Sequence, residues 1–281
     1  TITVDVSNLI NPDSRSVVIQ VENHTSTTHI SVNAWKYGTP ESWRGDMSGK
    51  TQLWALIPLD DNQRFQMSSS NWTGLDMWIM GYGGREVAGF PALTPVTPSV
   101  NGVWETKTVP AEAIGAKAAL VTIVNPHAAK HWDIKHPDST DNFYSNSYAG
   151  WVCALVGLNA SGQFKIKVEE KASIHAYLLG YITGNDVFIH INNLAIPDPP
   201  VNTWTPYIIK HLAANPNLAV LRSLPSGGTS CFSARKGNSL RDIQRGGNNG
   251  IYFYVHCNPG YRVDLRRLST YYHYKLAAEI Q

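Results

Sequence analysis

The run Trp54-Ala55-Leu56-Ile57-Pro58-Leu59 leads into a polar turn, Asp60-Asp61-Asn62, and then Phe65 and Met67. It recurs as Ala154-Leu155-Val156-Gly157-Leu158, the turn Asn159-Ala160-Ser161-Gly162, and then Phe164 and Ile166. Leu56 and Leu155 lie 99 residues apart, and so do Phe65 and Phe164. The same interval joins Trp78 to Tyr177 and Tyr82 to Tyr181, within Met-Trp-Ile-Met-Gly-Tyr (77–82) and Ala-Tyr-Leu-Leu-Gly-Tyr (176–181). Three elements in constant register mark an internal repeat. Upstream, Val17-Val18-Ile19-Gln20-Val21-Glu22-Asn23 answers to Ala119-Leu120-Val121-Thr122-Ile123-Val124-Asn125 at an interval of 102, so the change of length falls in a loop.

A third, more divergent copy opens at Leu218-Ala219-Val220-Leu221-Arg222-Ser223-Leu224 and continues in Ile251-Tyr252-Phe253-Tyr254-Val255-His256-Cys257. It turns at Asn258-Pro259-Gly260, passes Tyr261 and Val263, and closes at Tyr271-Tyr272-His273-Tyr274-Lys275-Leu276 without the terminal Gly-Tyr. The lead-ins echo one another too, Val100-Asn101-Gly102-Val103-Trp104 beside Val201-Asn202-Thr203-Trp204.

Alternation of apolar and polar residues in Phe164-Lys165-Ile166-Lys167-Val168 and in Tyr261-Arg262-Val263-Asp264-Leu265 predicts half-buried antiparallel strands. Helical periodicity is confined to Ala111 to Ala118 and Tyr207 to Ala214, each long enough for one turn. The expected fold is all-β: three tandem antiparallel β-sandwich modules of jelly-roll type, over residues 1–84, 85–184 and 185–281. The stretches 83 to 108 and 183 to 206, rich in Pro, Gly, Asn and Thr, read as linkers.

A hydrophobic share of 43% against 16% charged residues, with 22 Gly and 16 Pro, describes a packed, turn-rich globule and excludes a disordered chain. Twenty-three Lys and Arg against 21 Asp and Glu leave only +2, so nucleic acid is not an expected partner. The local excess of cations in the last third, among them Arg222, Arg235, Arg241 and Arg266, reads as a solvated face. Three cysteines make no disulfide framework, and Cys153 and Cys257, inside apolar runs, read as buried thiols; whether Cys231 and Cys257 pair stays open. The N-terminal Thr-Ile-Thr-Val-Asp-Val has the pattern of no signal peptide, and no segment has the apolar length of a membrane helix. Cytoplasmic synthesis, with release by lysis or assembly into a particle, is expected.

Repeats keep strands for the core and vary loops for function, which directs attention to the insert after the first strand of each copy. In copy one it carries Trp35, Tyr37, Trp43, Arg44 and Asp46; in copy two His131, Trp132, Asp133, Asp138, Asn142 and Tyr144; in copy three Arg235, Asn238 and Arg241. Aromatic faces beside planar polar groups suit sugar rings and hydroxyls, and suit polar protein interfaces equally. The competing reading places these tryptophans as caps on the sandwich ends. Arg44-Gly45-Asp46 matches an integrin-type tripeptide, a match that arises often by chance. His127, His131 and His136 fit no regular metal-ligand spacing, and Asp133, Asp138 and Asp141 fit no calcium loop. No cofactor or catalytic residue is expected: there is no phosphate loop, dinucleotide fingerprint or metalloprotease helix, and Gly227-Gly228-Thr229-Ser230-Cys231 is not a nucleophile elbow.

Between Gly115 and Tyr181, the opening Ala-Leu-Val-Thr-Ile-Val-Asn, the middle Ala-Leu-Val-Gly-Leu and the closing Tyr-Leu-Leu-Gly-Tyr resemble small β-modules of phage and bacterial surface and fibre proteins. Trp54-Ala55-Leu56 and Gly81-Tyr82 extend the resemblance to the first copy. It implies a module exposed on a virion or a cell surface, and carries over no functional residue. Two functions follow as expectations. One is a non-enzymatic, lectin-like attachment protein that binds a cell-surface glycan or protein receptor with the avidity of repeated sites. The other is a structural virion component, a capsid, spike or fibre subunit whose loops contact copies of itself or other virion proteins.

Overall fold

The computed structural model describes the chain apart from residues 26–27, 40–44, 48–50, 85, 126–129, 143–144, 148–149, 185–186, 210–212, 214–215, 217, 226–231, 237–251, 268–271 and 281. The chain is all-β, and its strands pair within three modules. The first contains β1 (Ile2–Asp5), β2 (Ser16–Asn23), β3 (Ile30–Lys36), β4 (Gly45–Met47), β5 (Thr51–Pro58), β6 (Arg64–Ser69) and β7 (Leu75–Gly83). The second contains β8 (Val87–Pro95), β9 (Glu105–Thr108), β10 (Ala118–Asn125), β11 (Lys130–Lys135), β12 (Ser145–Ser147), β13 (Gly150–Gly157), β14 (Gln163–Val168) and β15 (His175–Ile182). The third contains β16 (Val187–Ile196), β17 (Thr205–Ile208), β18 (Leu218–Pro225), β19 (Phe232–Lys236), β20 (Tyr252–His256), β21 (Arg262–Arg267) and β22 (Tyr272–Ile280).

Module 2 is a complete eight-stranded jelly roll, with one sheet ordered β8-β15-β10-β13 and the other β9-β14-β11-β12. Module 3 follows the same order as β16-β22-β18-β20 and β17-β21-β19, without a counterpart of β12 among the described residues. Module 1 has β1-β6-β3-β4 but only three strands in its other sheet, β5-β2-β7. The strand matching β8 and β16 is missing there among the described residues.

The 99-residue interval is carried by the backbone itself. Gln63, Gly162 and Tyr261 occupy the same turn with φ of 57°, 68° and 57°. In each turn a side-chain oxygen, from Asp60, Asn159 or Asn258, accepts from the backbone N–H groups two and four residues on. That satisfies donors the turn would otherwise leave unpaired. The turn then delivers Phe65, Phe164 and Val263 to fully buried positions. A second shared feature is a β-bulge between Val18 and Ile19, Leu120 and Val121, and Val220 and Leu221, against β7, β15 and β22 respectively. Register places Glu279 of module 3 where Tyr82 and Tyr181 stand, so the third copy keeps the closing strand and only replaces its residues.

The linkers expected at 83 to 108 and 183 to 206 are largely strand. Residues 87–95 form β8 and 187–196 form β16, both edge strands, a place that tolerates Pro91 and Pro95 because one side of the strand needs no ladder. Ala111–Ala113 is a 3-10 turn, as expected, but Tyr207 and Ile208 belong to β17 rather than to a helical turn.

The edge strands β5, β13 and β20 hold equivalent positions in the three modules and touch one another. Here the cores join: the Cys153 thiol lies 3.7 Å from the Leu56 carbonyl oxygen, and the Tyr254 hydroxyl donates to the Cys153 carbonyl at 3.0 Å. All eight residues of β10 are buried, both faces included, because one face lines the sandwich and the other the junction. Burial pushes the Cys153 thiol up to about 11. Iodoacetamide at pH 8 should therefore leave Cys153 unmodified in the folded protein and label it in denaturant, as mass spectrometry will show. Native labelling at the rate of an unfolded thiol would contradict the junction.

Candidate functional site

Trp35 on β3 and Trp132 on β11 were expected to project from loops; both are core. Their exposures are 1% and 0%, and the Trp35 indole N–H donates to the Thr39 carbonyl at 3.0 Å. Their position on strands of the sandwich explains this: alternation turns each ring inward, where its large apolar area is worth most. Asp133, the neighbour of Trp132, is also buried, because its face of β11 is turned to module 3. Arg222 on β18 meets it there, Nη2 donating to Asp133 Oδ1 at 2.5 Å, with both side chains 1% exposed. Burial raises the Asp133 carboxyl above its usual range, against the pull of Arg222 and Lys167. Burial opposes the Arg222 charge, but the Asp133 carboxylate outweighs it and raises the guanidinium further. Arg222, read from the sequence as part of a solvated cationic face, is thus an inter-module tie.

The other candidates have local partners. Arg64 lies 3.9 Å above the centre of the Tyr37 ring and holds Asp60 through Nε and Nη2 at 3.0 and 2.8 Å, so one face of Tyr37 is taken. His131 Nε2 is 3.9 Å from Glu169, and Asp138 is 3.7 Å from His136. Exposed Asn142 accepts from the Trp104 indole N–H at 3.2 Å, while Lys135 and Lys167 stand 4.4 and 4.9 Å from the centre of that ring. Trp204, its counterpart in the echoed lead-in, takes Arg266 at 4.8 Å. These half-buried stacks contribute about 0.5–2 kcal/mol each and hold loops to strands. Asp46 and Arg235 lie in β4 and β19, opposite Ser31 and Asp264, with side chains outside the described set. Trp43, Arg44, Tyr144, Asn238 and Arg241 lie outside the described residues. Among the described residues no three His, Cys, Asp or Glu side chains converge as metal ligands.

Two features of the structure were not anticipated from the loops. One is the junction of Leu56, Cys153, Tyr254, Asp133 and Arg222; the near-continuous apolar runs Val17 to Val21 and Ala118 to Val124, each broken by a single polar residue, Gln20 and Thr122, were its sequence signal, since a strand wet on one face alternates. The other is an apolar exposure around β7: Trp72, Trp78 and Tyr82 are 38%, 42% and 48% exposed. Large rings in water at the rim of a sheet are the kind of surface that protein contacts cover.

No protein-family model and no curated protein matches the chain. Among solved structures, a chain of the Sulfolobus Turreted Icosahedral Virus atomic structure is similar over 99% of this chain and 82% of its own, at 10% identity and a TM-score of 0.21. A chain from a structure of the triple jelly roll fold and turret assembly in an archaeal virus is similar over 99% and 81%, at 9% identity and 0.20. At such TM-scores neither likeness bears on what this chain does.

Proposed function

We propose that this chain is a structural subunit of a virion, a building block of a capsid, spike or fibre that functions by contacting neighbouring subunits. The observation that carries the reading is the three-way junction. It joins three jelly rolls through buried side chains into one block. Trp35 and Trp132 fill the cores of their own sandwiches, and Asp133 ties module 2 to module 3. What the block offers outward is the apolar rim at Trp72, Trp78 and Tyr82. Covering such rings on association releases water from apolar surface, at about 25 cal/mol per Å².

Light scattering and electron microscopy of the purified protein over a range of concentration and ionic strength test this. Defined oligomers or particles are the expected result, with no glycan retained on an array. A strictly monomeric species at high concentration that binds a glycan selectively would overturn it.

A further inference from the structure

We infer that Lys167 and Asn142 become joined by an isopeptide bond, formed within the folded protein as the lysine amine displaces ammonia from the asparagine side-chain amide. This goes beyond the assembly reading and holds whether or not the chain assembles.

The groups such a reaction needs meet on one face of module 2. Lys167 on β14 supplies the amine; it is 3% exposed, and its Nζ donates to Asn142 Oδ1 at 3.4 Å. The Trp104 indole N–H donates to the same oxygen at 3.2 Å, and the centre of its ring lies 4.9 Å from Nζ. Two donors on one amide oxygen draw charge from its carbon and stand where a developing oxyanion would need them. An amine held against the carbonyl that it attacks has little further distance to cover. Asp133 supplies the proton carrier. It lies directly opposite Lys167 across β11 and β14, so both side chains leave the sheet on the same face. Arg222 takes its Oδ1, while its Oδ2 is buried without a hydrogen bond among the described residues. Burial raises this carboxyl above its usual range, which suits it to take a proton and pass it on.

The step balances without a co-reactant. The Lys167 ammonium gives one proton to Asp133, and the free amine forms a bond to Asn142 Cγ, whose oxygen takes the negative charge under the Trp104 N–H. The bond from Cγ to Nδ2 then breaks. Asp133 returns its proton to the departing nitrogen, one proton stays on the new amide, and the third leaves with ammonia as ammonium. Nothing is oxidised or reduced. The repeat shows that this set is not a demand of the fold. Three residues beyond Phe65, Phe164 and Val263 stand Ser68, Lys167 and Arg266, opposite Asn33, Asp133 and Ser233. Of these three pairs, that of module 2 alone sets an amine against a carboxyl. The bond closes the stretch from Asn142 to Lys167, which contains β12 and β13, and so fastens the segment that brings Cys153 to the junction.

Intact-mass spectrometry of the denatured full chain, after prolonged incubation of the folded protein, is the test. The chain should weigh one ammonia less than its sequence, and a protease digest should yield a branched peptide that joins Asn142 to Lys167. Lys167→Arg and Asn142→Ala should each restore the sequence mass, with circular dichroism showing the fold retained. Asp133→Asn should slow the linkage by about a hundredfold; an unchanged rate would overturn Asp133 as the carrier. The branched peptide of the parent chain decides the matter without any variant. A succinimide at Asn142 loses the same ammonia, but it would survive Lys167→Arg and leave no branched peptide. That outcome, or a chain that keeps its full sequence mass, would overturn the inference and leave the assembly reading standing.

Discussion

Replacing Arg222 with Met while Asp133 remains is expected to destabilise the protein by about 3–5 kcal/mol, read as a lowered urea midpoint. The cost comes less from the lost attraction than from the carboxylate left behind, buried at 1% exposure with its Oδ2 lacking a hydrogen bond. Asp133 already titrates high because of burial, so without Arg222 it is driven to its neutral form. Changing both residues, Asp133→Val with Arg222→Met, should recover most of the loss, since no charge is then stranded. A double-mutant cycle should give a coupling of about 2 kcal/mol or more. An Arg222→Met variant within about 0.5 kcal/mol of the parent would mean that modules 2 and 3 are not joined through this pair.

Trp132→Ala carries the second large effect, about 3–5 kcal/mol, because it empties a fully buried space that strands on either side cannot collapse to fill. Trp132→Phe should cost far less, since most of the apolar contact survives. The pair of variants separates two roles for this residue. A ligand-stacking tryptophan loses affinity on truncation while the fold keeps its stability; a core tryptophan loses stability first. Trp132→Ala with an unchanged urea midpoint would return the residue to the list of contact candidates.

The outward faces of the modules differ in this respect from the junction. The stack of Trp104 with Lys135 and Lys167 is half-buried, with Lys167 3% exposed, so its loss should cost about 0.5–2 kcal/mol, less than the junction pair. The contrast separates an interior tie between modules 2 and 3 from ring stacks that serve single modules.

How far the sequence could be read depended on whether a signal was local. The 99-residue interval was legible because turns and alternating strands are written in neighbouring residues. Asp60, Asn159 and Asn258 cap the same turn, and Phe65, Phe164 and Val263 follow at the same offset. The fold class followed from that pattern. The edge strand β8 was read as a linker because Val-Ala-Gly-Phe-Pro-Ala-Leu-Thr-Pro has neither alternation nor a run of β-branched residues; such a strand is held by its partner's hydrogen bonds rather than by its own side chains.

The candidate site fared differently. Trp35, Trp132 and Asp133 looked like loop residues because the inserts they open are irregular, yet each lies on a strand that continues into the insert. Composition has no means of telling a ring that stacks on a sugar from one that fills a core, since both are apolar area with a polar edge. Sequence alone determined that this protein is a threefold repeat of one antiparallel sandwich, because strand period and turn chemistry are properties of adjacent residues. Only the tertiary structure decided that Arg222 reaches Asp133 across 89 positions, that three edge strands meet at Cys153, and that Trp35 and Trp132 turn into the cores. Those are facts about which surfaces come together, fixed by packing between modules that no local pattern records.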